Sequence, residues 1–274
     1  MSILRTVHNT LLNLSFDSIL AGIAGMTFSI YCTTDSKSVS IALWILLPIC
    51  LWSLYTLDHL WDASKLSIGP SARRHLFHKT NATPLKIGLA ITLATQLVIS
   101  IFVISLEIAF FGILLMAGGV AHLFFVQKFI SYPKEIIASS LYTLAVWFGV
   151  LSSGNFTVHK LPYFFFFFII VYLNMLSYSI FDLKNDIVRS HTSLCAKKGS
   201  SFVKKRISIL TACNFFSLIF LMFQNHLQFI PLLCLMLLTL FPFYLTLKHK
   251  HFEIREKYRN YGDYSFIILF LCLL

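Results

Sequence analysis

Nine apolar runs constrain this chain more than any other feature of its sequence, and several are too long for the core helices of a soluble domain. Backbone groups in hydrocarbon must find hydrogen-bond partners within their own segment, and the runs lack the alternation of barrel strands, so each run predicts an α-helix. We therefore expect an all-α membrane protein, a single domain over residues 1–274 with nine transmembrane helices. The predicted helices lie near residues 15–33, 39–59, 84–105, 107–127, 134–153, 161–181, 206–224, 227–247 and 262–274.

The composition agrees with this assignment, with one exception at the C-terminal end. Hydrophobic residues make up 57% of the chain, and charged residues only 12%. The last apolar run, however, has 13 residues, which is about 20 Å of helix against a hydrocarbon core of about 30 Å. The ninth helix is therefore expected to tilt little, to stop short of the far side, or to belong to a longer chain.

The basic residues alternate with the apolar runs and predict the orientation in the membrane. Twenty of the 22 lysine and arginine residues fall on the side of the N-terminus, and only Lys37 and Lys160 fall on the other side. By the positive-inside rule the N-terminus is cytoplasmic, so the net charge of +11 needs no nucleic acid as partner and is matched by anionic lipid headgroups. We expect a multi-pass protein of the inner or plasma membrane of a bacterium. Its six cysteines are scattered and form no zinc or redox motif.

Two pairs of aspartates stand out among only 11 carboxylates. Asp58 and Asp62 close the second apolar run in YTLDHLWD, and Asp182 and Asp186 close the sixth run in YSIFDLKND. On a helix, residues four apart lie on one face with about 6 Å of rise between them, so each pair can direct two carboxylates at one target. Both pairs are predicted at the cytoplasmic ends of their helices, where four carboxylates could face each other across a cavity.

Clustered carboxylates near a membrane need a positive partner, because unpaired charges there are costly. Oxygen ligands that leave room for water and phosphate suit Mg²⁺, which takes one or two protein carboxylates and completes its shell with a diphosphate. A transition-metal site that includes His59, His75 and His78 is the weaker alternative. Simple capping of the helix ends is disfavoured, because an acid at a helix C-terminus opposes the macrodipole.

Polar and basic residues near the pairs predict a site for the diphosphate. Asn174 and Tyr178 precede Asp182 at intervals of four, so this stripe must face protein or a cavity rather than lipid. Cations are the natural partners of phosphate, and Lys134, just before the fifth helix, is the first choice. The full set of predicted diphosphate-binding residues is Lys134, Arg73, Arg74, Tyr178, Asn174 and Lys128.

With two DxxxD pairs at the ends of the second and sixth of nine helices, the chain resembles the UbiA superfamily of intramembrane prenyltransferases. The resemblance implies a UbiA-like bundle of nine helices around a central cavity. It also implies that the two aspartate pairs hold Mg²⁺ ions that bind an isoprenyl diphosphate. In the family a basic residue before the fifth helix helps to hold the diphosphate, and Lys134 in SYPKE occupies that place.

Three positions depart from the family pattern. The family usually has asparagine four residues before the first aspartate, where this chain has Leu54. The glycine that follows the second motif is replaced by Ser190 or its neighbour. The first helix has no arginine near its cytoplasmic end beyond Arg5, so the usual contact with a carboxylated aromatic acceptor is not evident.

These residues predict Mg²⁺-dependent transfer of an isoprenyl group from its diphosphate to a lipophilic acceptor within the membrane, with an aromatic acceptor preferred. The catalytic and metal-binding residues would be Asp58, Asp62, Asp182 and Asp186. A UbiA-type terpene cyclase is one alternative, because it would ionise the same substrate. A transporter and a non-catalytic membrane protein are the others, although transporter sites favour broken helices at the bilayer midplane.

Overall fold

The computed structural model describes residues 2–33, 39–64, 73–126, 134–154, 156–188, 193–223 and 228–273, and all regular structure in these residues is helical. Eight helical stretches are long and apolar enough to cross a membrane. The helices that form them are α2 (Phe16–Thr33), α3 (Ile41–Ser64), α5 (Ala82–Phe102), α6 (Leu106–Ala121), α7 (Lys134–Ser152), α8 (Leu161–Phe181), α11 (Ser200–Phe223) and α12 (Phe229–Leu247).

Shorter helices flank the membrane helices. A π-helical turn, His122–Val126, continues α6, and a 3₁₀ turn, Val158–Lys160, leads into α8. The other short helices are α1 (Ser2–Asn13), α4 (Arg73–Thr80), α9 (Leu183–Val188), α10 (Leu194–Lys198), α13 (His249–Glu253) and α14 (Lys257–Ser265). Two further 3₁₀ segments, Ile254–Glu256 and Phe266–Leu273, precede and follow α14.

The first eight predicted membrane helices correspond to these eight stretches, and the ninth differs in form. The predicted run 262–274 lies in α14 and the 3₁₀ segment after it, and this stretch is not one of the eight candidate spans found in the described residues. The helix α3 is longer than predicted, because it continues to Ser64. As a result Asp58 and Asp62 lie within one helix, as their spacing predicts.

Local sequence accounts for several helix ends. Pro162 lies in the first turn of α8, where its missing N–H costs no helical hydrogen bond. Ser193 caps α10 by accepting a hydrogen bond from the backbone N–H of Ala196 at 3.2 Å. Gly199 ends α10 with a φ of +82°, a conformation that glycine adopts without a steric penalty.

The core of the bundle lies between α2, α7, α8 and α12. Trp147 and Phe167 are fully buried there, and Phe28 packs edge-on against Trp147 with ring centroids 6.3 Å apart. By contrast, α5 and α6 expose most of their apolar side chains, including Phe102 and Leu106. A large apolar outer surface of this kind fits lipid rather than water, so the chain is an integral membrane protein.

The C-terminal segment packs one face against the bundle, where Phe266, Leu269 and Cys272 are buried. The 3₁₀ segment Phe266–Leu273 lies against α2, and α14 contacts α2, α8 and α12. Gly262 permits this approach, because a Cβ atom there would collide with the hydroxyl of Tyr178 on α8. The segment that the sequence predicts as a short ninth span therefore also brings polar residues to the end of the bundle that carries both aspartate pairs.

Candidate functional site

An apolar cavity of about 470 Å³ lies between α3, α5, α6 and α7. Leucine, methionine and other apolar side chains form most of its wall. Asp58 and Lys134 are the charged residues among the described residues that line it, and Tyr55 and Tyr142 are also part of the wall. The cavity thus combines a lipophilic interior with the carboxylate of Asp58 and the ammonium group of Lys134. This arrangement suits a ligand with an apolar tail and a charged head.

The first aspartate pair lies on α3 beside three histidines. Asp58 Oδ2 is 3.9 Å from Nδ1 of His59, and Asp62 Oδ2 is 3.8 Å from Nε2 of His75. The Asp58 side chain is 27% exposed and that of Asp62 is 12% exposed, so a ligand at the cavity can reach Asp58 more readily. The rings of His59 and His78 are also adjacent, with centroids 4.9 Å apart.

Lys134 links the second aspartate pair to the cavity. Its Nζ lies 3.7 Å from Oδ1 of Asp186, and its side chain lines the cavity together with Asp58. The next residue, Glu135, is buried and accepts a hydrogen bond from the backbone N–H of Leu194 at 2.8 Å. Glu135 therefore ties the chain that follows the second pair to α7. Sequence reasoning identified Lys134 but missed Glu135.

Asp182 has partners that the sequence analysis did not foresee. The main helix α8 ends at Phe181, and Asp182 lies between α8 and α9. Its Oδ1 accepts a hydrogen bond from the hydroxyl of Tyr258 at 2.5 Å, and its Oδ2 accepts one from Nη2 of Arg259 at 2.8 Å. Both carboxylate oxygens of Asp182 therefore bind residues of α14. These residues are 76 and 77 positions away along the chain, so local sequence patterns do not predict the contact.

The electrostatic surroundings of these partners keep them in their donor forms. Burial raises the pKa of the Tyr258 phenol, Arg259 opposes that change, and the Asp182 carboxylate adds to it, so the pKa lies well above its ordinary value. Burial by itself would lower the pKa of the Arg259 guanidinium, but the negative charge of Asp182 raises it, and the net pKa lies above its ordinary value. Tyr258 and Arg259 therefore remain donors to Asp182 throughout the physiological pH range.

The predicted polar stripe on α8 faces protein, as its composition requires. The hydroxyl of Tyr178 donates to Oδ1 of Asp263 at 2.8 Å, and Asn174 Nδ2 donates to that hydroxyl at 3.1 Å. Ser18 on α2 donates to the other oxygen of Asp263 at 2.5 Å. Neither Asn174 nor Tyr178 is among the described residues that line the cavity. Their role in diphosphate binding remains a prediction.

Arg74 lies in a buried ion pair rather than at the cavity wall. Its Nη2 donates to Oδ2 of Asp17 at 2.5 Å and to Oδ1 of Asn260 at 2.9 Å. The Asp17 side chain is fully buried and that of Arg74 is 7% exposed. Arg74 therefore joins α4 to α2 and α14, which is a structural position, and its predicted contact with diphosphate is untested.

Some predicted residues lie outside the described part of the chain. Lys128 and Ser190 are among these residues outside the described part, and so is the side chain of Arg73 at the start of α4. Leu54, which stands where the family pattern has asparagine, does lie in the cavity wall and packs against Gly119 of α6. At this position the chain therefore has an apolar contact between two membrane helices.

Whether these residues suit Mg²⁺ depends on their donor atoms. No group of three histidine, cysteine or acidic side chains converges on one point in the described residues. This is compatible with Mg²⁺, which takes one or two carboxylates and otherwise binds water and phosphate oxygens. Asp58 at the cavity, with Asp62 one turn away, fits such a role, as does Asp186 beside Lys134. Asp182 does not fit it, because Tyr258 and Arg259 already bind both of its oxygens.

Comparison with known proteins reveals similar structures, although no family model and no curated protein matches the sequence. The chain is similar to the apo structure of a UbiA homologue from Aeropyrum pernix K1, with a TM-score of 0.61 at 13% identity over 95% of this chain and 97% of that one. The chain has the UbiA fold. A structure reported for digeranylgeranylglyceryl phosphate synthase in membranes also shares the UbiA fold, with a TM-score of 0.55 at 16% identity over 98% of each chain.

The UbiA fold confirms the architecture that the family resemblance predicts. A UbiA-like helical bundle encloses a cavity, and residues of both pairs lie at one end of it, connected through Lys134. The count of nine spans is not reproduced, because eight stretches of the described residues qualify. The residues that sequence reasoning missed at this site are Asp17, Glu135, Tyr258, Arg259 and Asp263.

Proposed function

We propose that this protein is an intramembrane prenyltransferase that moves an isoprenyl group from its diphosphate to a lipophilic acceptor, with an aromatic acceptor preferred. The bond between the allylic carbon and the diphosphate oxygen breaks, and its electron pair leaves with the diphosphate. A new bond forms between that carbon and the acceptor, which loses a proton. The membrane is the natural site for this reaction, because the donor chain and the acceptor both dissolve in lipid.

One observation carries the proposal. The apolar cavity of about 470 Å³ has Asp58 and Lys134 in its wall, and Lys134 lies 3.7 Å from Asp186 of the other aspartate pair. An isoprenyl diphosphate has the matching chemistry, with an apolar chain for the wall and a head that carries negative charge. A substrate without such a head would give the acids and the lysine no function at this place.

The charged residues have distinct proposed roles. Asp58 and Asp62, with Asp186, would hold Mg²⁺, while the ammonium group of Lys134 would donate hydrogen bonds to the diphosphate. When bound, Mg²⁺ would offset the negative charge that develops on the leaving diphosphate. Lys134 supports the same charge from the protein side, in a site where the surrounding apolar wall strengthens electrostatic interactions.

The apolar wall has its own role in the proposed reaction. Residues such as Leu97 and Met116 from α5 and α6 would surround the isoprenyl chain and exclude water. Water exclusion matters because water would capture an allylic cation before the acceptor does. The exposed apolar surface of α5 and α6 faces lipid, which would supply both substrates. We place the charged end of the cavity on the cytoplasmic side of the membrane, as the distribution of basic residues predicts.

The proposal is tested with membranes that contain the full chain, labelled prenyl diphosphates of several lengths and Mg²⁺. Release of diphosphate and formation of a prenylated lipid product are followed together. We expect Asp58→Asn to slow diphosphate release by about 100-fold or more, since it removes a charge that acts at the reacting group. Lys160→Gln serves as the control, because it removes a charge at the opposite end of α8.

The outcomes separate the alternative activities. A product that joins the prenyl group to a second molecule supports the transferase, whereas a cyclic hydrocarbon formed from the donor alone would indicate a terpene cyclase. If no labelled diphosphate is consumed at any chain length, or if Asp58→Asn releases it as fast as the parent, the proposed function is wrong.

A further inference from the structure

Both carboxylate oxygens of Asp182, a predicted metal ligand, are bound by described residues of the protein itself. The hydroxyl of Tyr258 donates to Oδ1 at 2.5 Å, and Nη2 of Arg259 donates to Oδ2 at 2.8 Å. Charge-assisted hydrogen bonds of this length are stronger than neutral ones. A metal ion that bound Asp182 would have to displace the Arg259 guanidinium or share a carboxylate with it, at a short distance from another positive charge.

Arg259 is held firmly in this position. Its Nε donates to the Tyr258 hydroxyl at 3.1 Å, and its guanidinium carbon lies 5.7 Å from the centre of the Tyr258 ring. The Tyr258 ring in turn stacks on Phe181, with centroids 4.4 Å apart and planes inclined by 3°. Phe181 immediately precedes Asp182 in the chain. The side chains of these two residues, together with those of Tyr258 and Arg259, therefore form one packed unit that joins α14 to the end of α8.

The guanidinium also has donors left over. Its Nε and Nη2 atoms bind Tyr258 and Asp182, whereas Nη1 has no hydrogen-bond partner among the residues the structure describes. The Arg259 side chain is 27% exposed, so a ligand can reach it. The positive charge of Arg259 is therefore held at Asp182 and remains open to a ligand.

We propose that Arg259 takes the place of a metal ion at Asp182 and binds the diphosphate of the substrate directly. This inference rests on the proposed function and refines it, because it gives Asp182 a different role from the other three aspartates. Asp58, Asp62 and Asp186 supply the metal site, while Asp182 orients Arg259 toward the substrate. Arginine suits this role, since its planar fork can bind a carboxylate on one edge and a phosphate on another.

The test measures binding rather than turnover, on the purified full chain in detergent. Inorganic pyrophosphate and Mn²⁺ are the probes, with pyrophosphate followed by calorimetry and bound Mn²⁺ by electron paramagnetic resonance. We expect Arg259→Gln to weaken pyrophosphate binding about tenfold or more while Mn²⁺ binding in the absence of pyrophosphate stays at the parent level. Asp182→Asn is expected to bind Mn²⁺ like the parent, whereas Asp58→Asn loses it.

Two further variants distinguish a direct role of Arg259 in pyrophosphate binding from a purely structural role. Arg259→Lys keeps the positive charge and should recover part of the pyrophosphate affinity, which a packing role would not explain. Lys160→Gln removes one charge at the far end of α8 and should leave both affinities unchanged. Should Arg259→Gln fail to fold, Arg259→Lys and Asp182→Asn carry the comparison, with thermal unfolding as the measure of folding.

The outcomes separate this inference from the proposed function. If Asp182→Asn loses Mn²⁺ as Asp58→Asn does, Asp182 is a metal ligand and the inference is overturned. If Arg259→Gln binds pyrophosphate as tightly as the parent, the inference is again overturned, although the proposed function stands. If the parent binds neither Mn²⁺ nor pyrophosphate, the proposed function fails and the inference fails with it.

Discussion

Lys134 Nζ lies 3.7 Å from Asp186 Oδ1, although Asp186 follows it by 52 positions and belongs to a different helix. The same lysine lines the cavity that Asp58 lines. One side chain thus connects the second aspartate pair to the cavity wall next to the first. The lysine is partly exposed, which leaves its ammonium group accessible to a ligand in the cavity.

Replacement of Lys134 tests whether this connection serves substrate binding. We expect Lys134→Met to raise the KM for the prenyl diphosphate about tenfold or more, because a charge-assisted hydrogen bond to phosphate is lost. Lys134→Arg should retain most of the affinity, since the charge remains. Lys160→Met, at the start of α8, is the matched control, and equal effects of the two methionine variants would contradict the assignment.

The buried ion pair between Arg74 and Asp17 makes a prediction about stability. Arg74→Leu leaves Asp17 fully buried without its charge partner, so we expect the free energy of unfolding in mixed micelles to fall by about 3–5 kcal/mol. The double variant Asp17→Leu with Arg74→Leu should recover most of this loss.

The pair between Lys184 and Glu253 provides the control for that experiment. Its side chains are 89% and 45% exposed, so Lys184→Leu should change stability by less than about 1 kcal/mol. If Arg74→Leu is as mild as Lys184→Leu, the buried pair does not hold α4 to α2 as the contacts indicate.

The positions of two cavity-lining alanines on α7 predict which prenyl chains the protein accepts. Ala138 and Ala145 line the cavity on α7, one and three turns beyond Lys134, and are about 10 Å apart along the helix. We expect Ala145→Phe to exclude long prenyl chains but admit short ones, whereas Ala138→Phe should impair all lengths. Product analysis over a series of donor lengths measures this, with Ala94→Phe on the exposed face of α5 as control. A uniform effect of Ala145→Phe would contradict the prediction.

Burial of His78 predicts a pH dependence of stability. Burial lowers the pKa of His78, and the hydrogen bond between His78 and the backbone oxygen of Arg74 offsets only part of this change. Below about pH 6.5 the unfolded chain binds a proton at this histidine that the folded protein disfavours, so stability is lost as the pH falls. Thermal unfolding between pH 7.5 and 5.5 should therefore show a smaller decline for His78→Gln than for the parent. The exposed His159→Gln is the control, and parallel curves for parent and His78→Gln would refute the prediction.

The membrane helices could be predicted from the sequence because the hydrocarbon core imposes a rule that acts on each segment separately. A run such as 161–181 must satisfy its own backbone hydrogen bonds, and the helix Leu161–Phe181 has the predicted bounds. The spacing of Asp58 and Asp62 likewise fixed their common helix, since the period of an α-helix is local. These features depend only on neighbours along the chain.

The partners of the charged residues depended instead on tertiary structure. Arg74, a predicted diphosphate ligand, lies against Asp17, and Asp182, a predicted metal ligand, binds Arg259, 77 positions away. Charge and residue type show that a buried ion needs a partner, yet many cations in the sequence could provide it. Only the packing of α14 against α2 and α8 selects among them, because electrostatic pairing inside a bundle is decided by distance in space rather than along the chain.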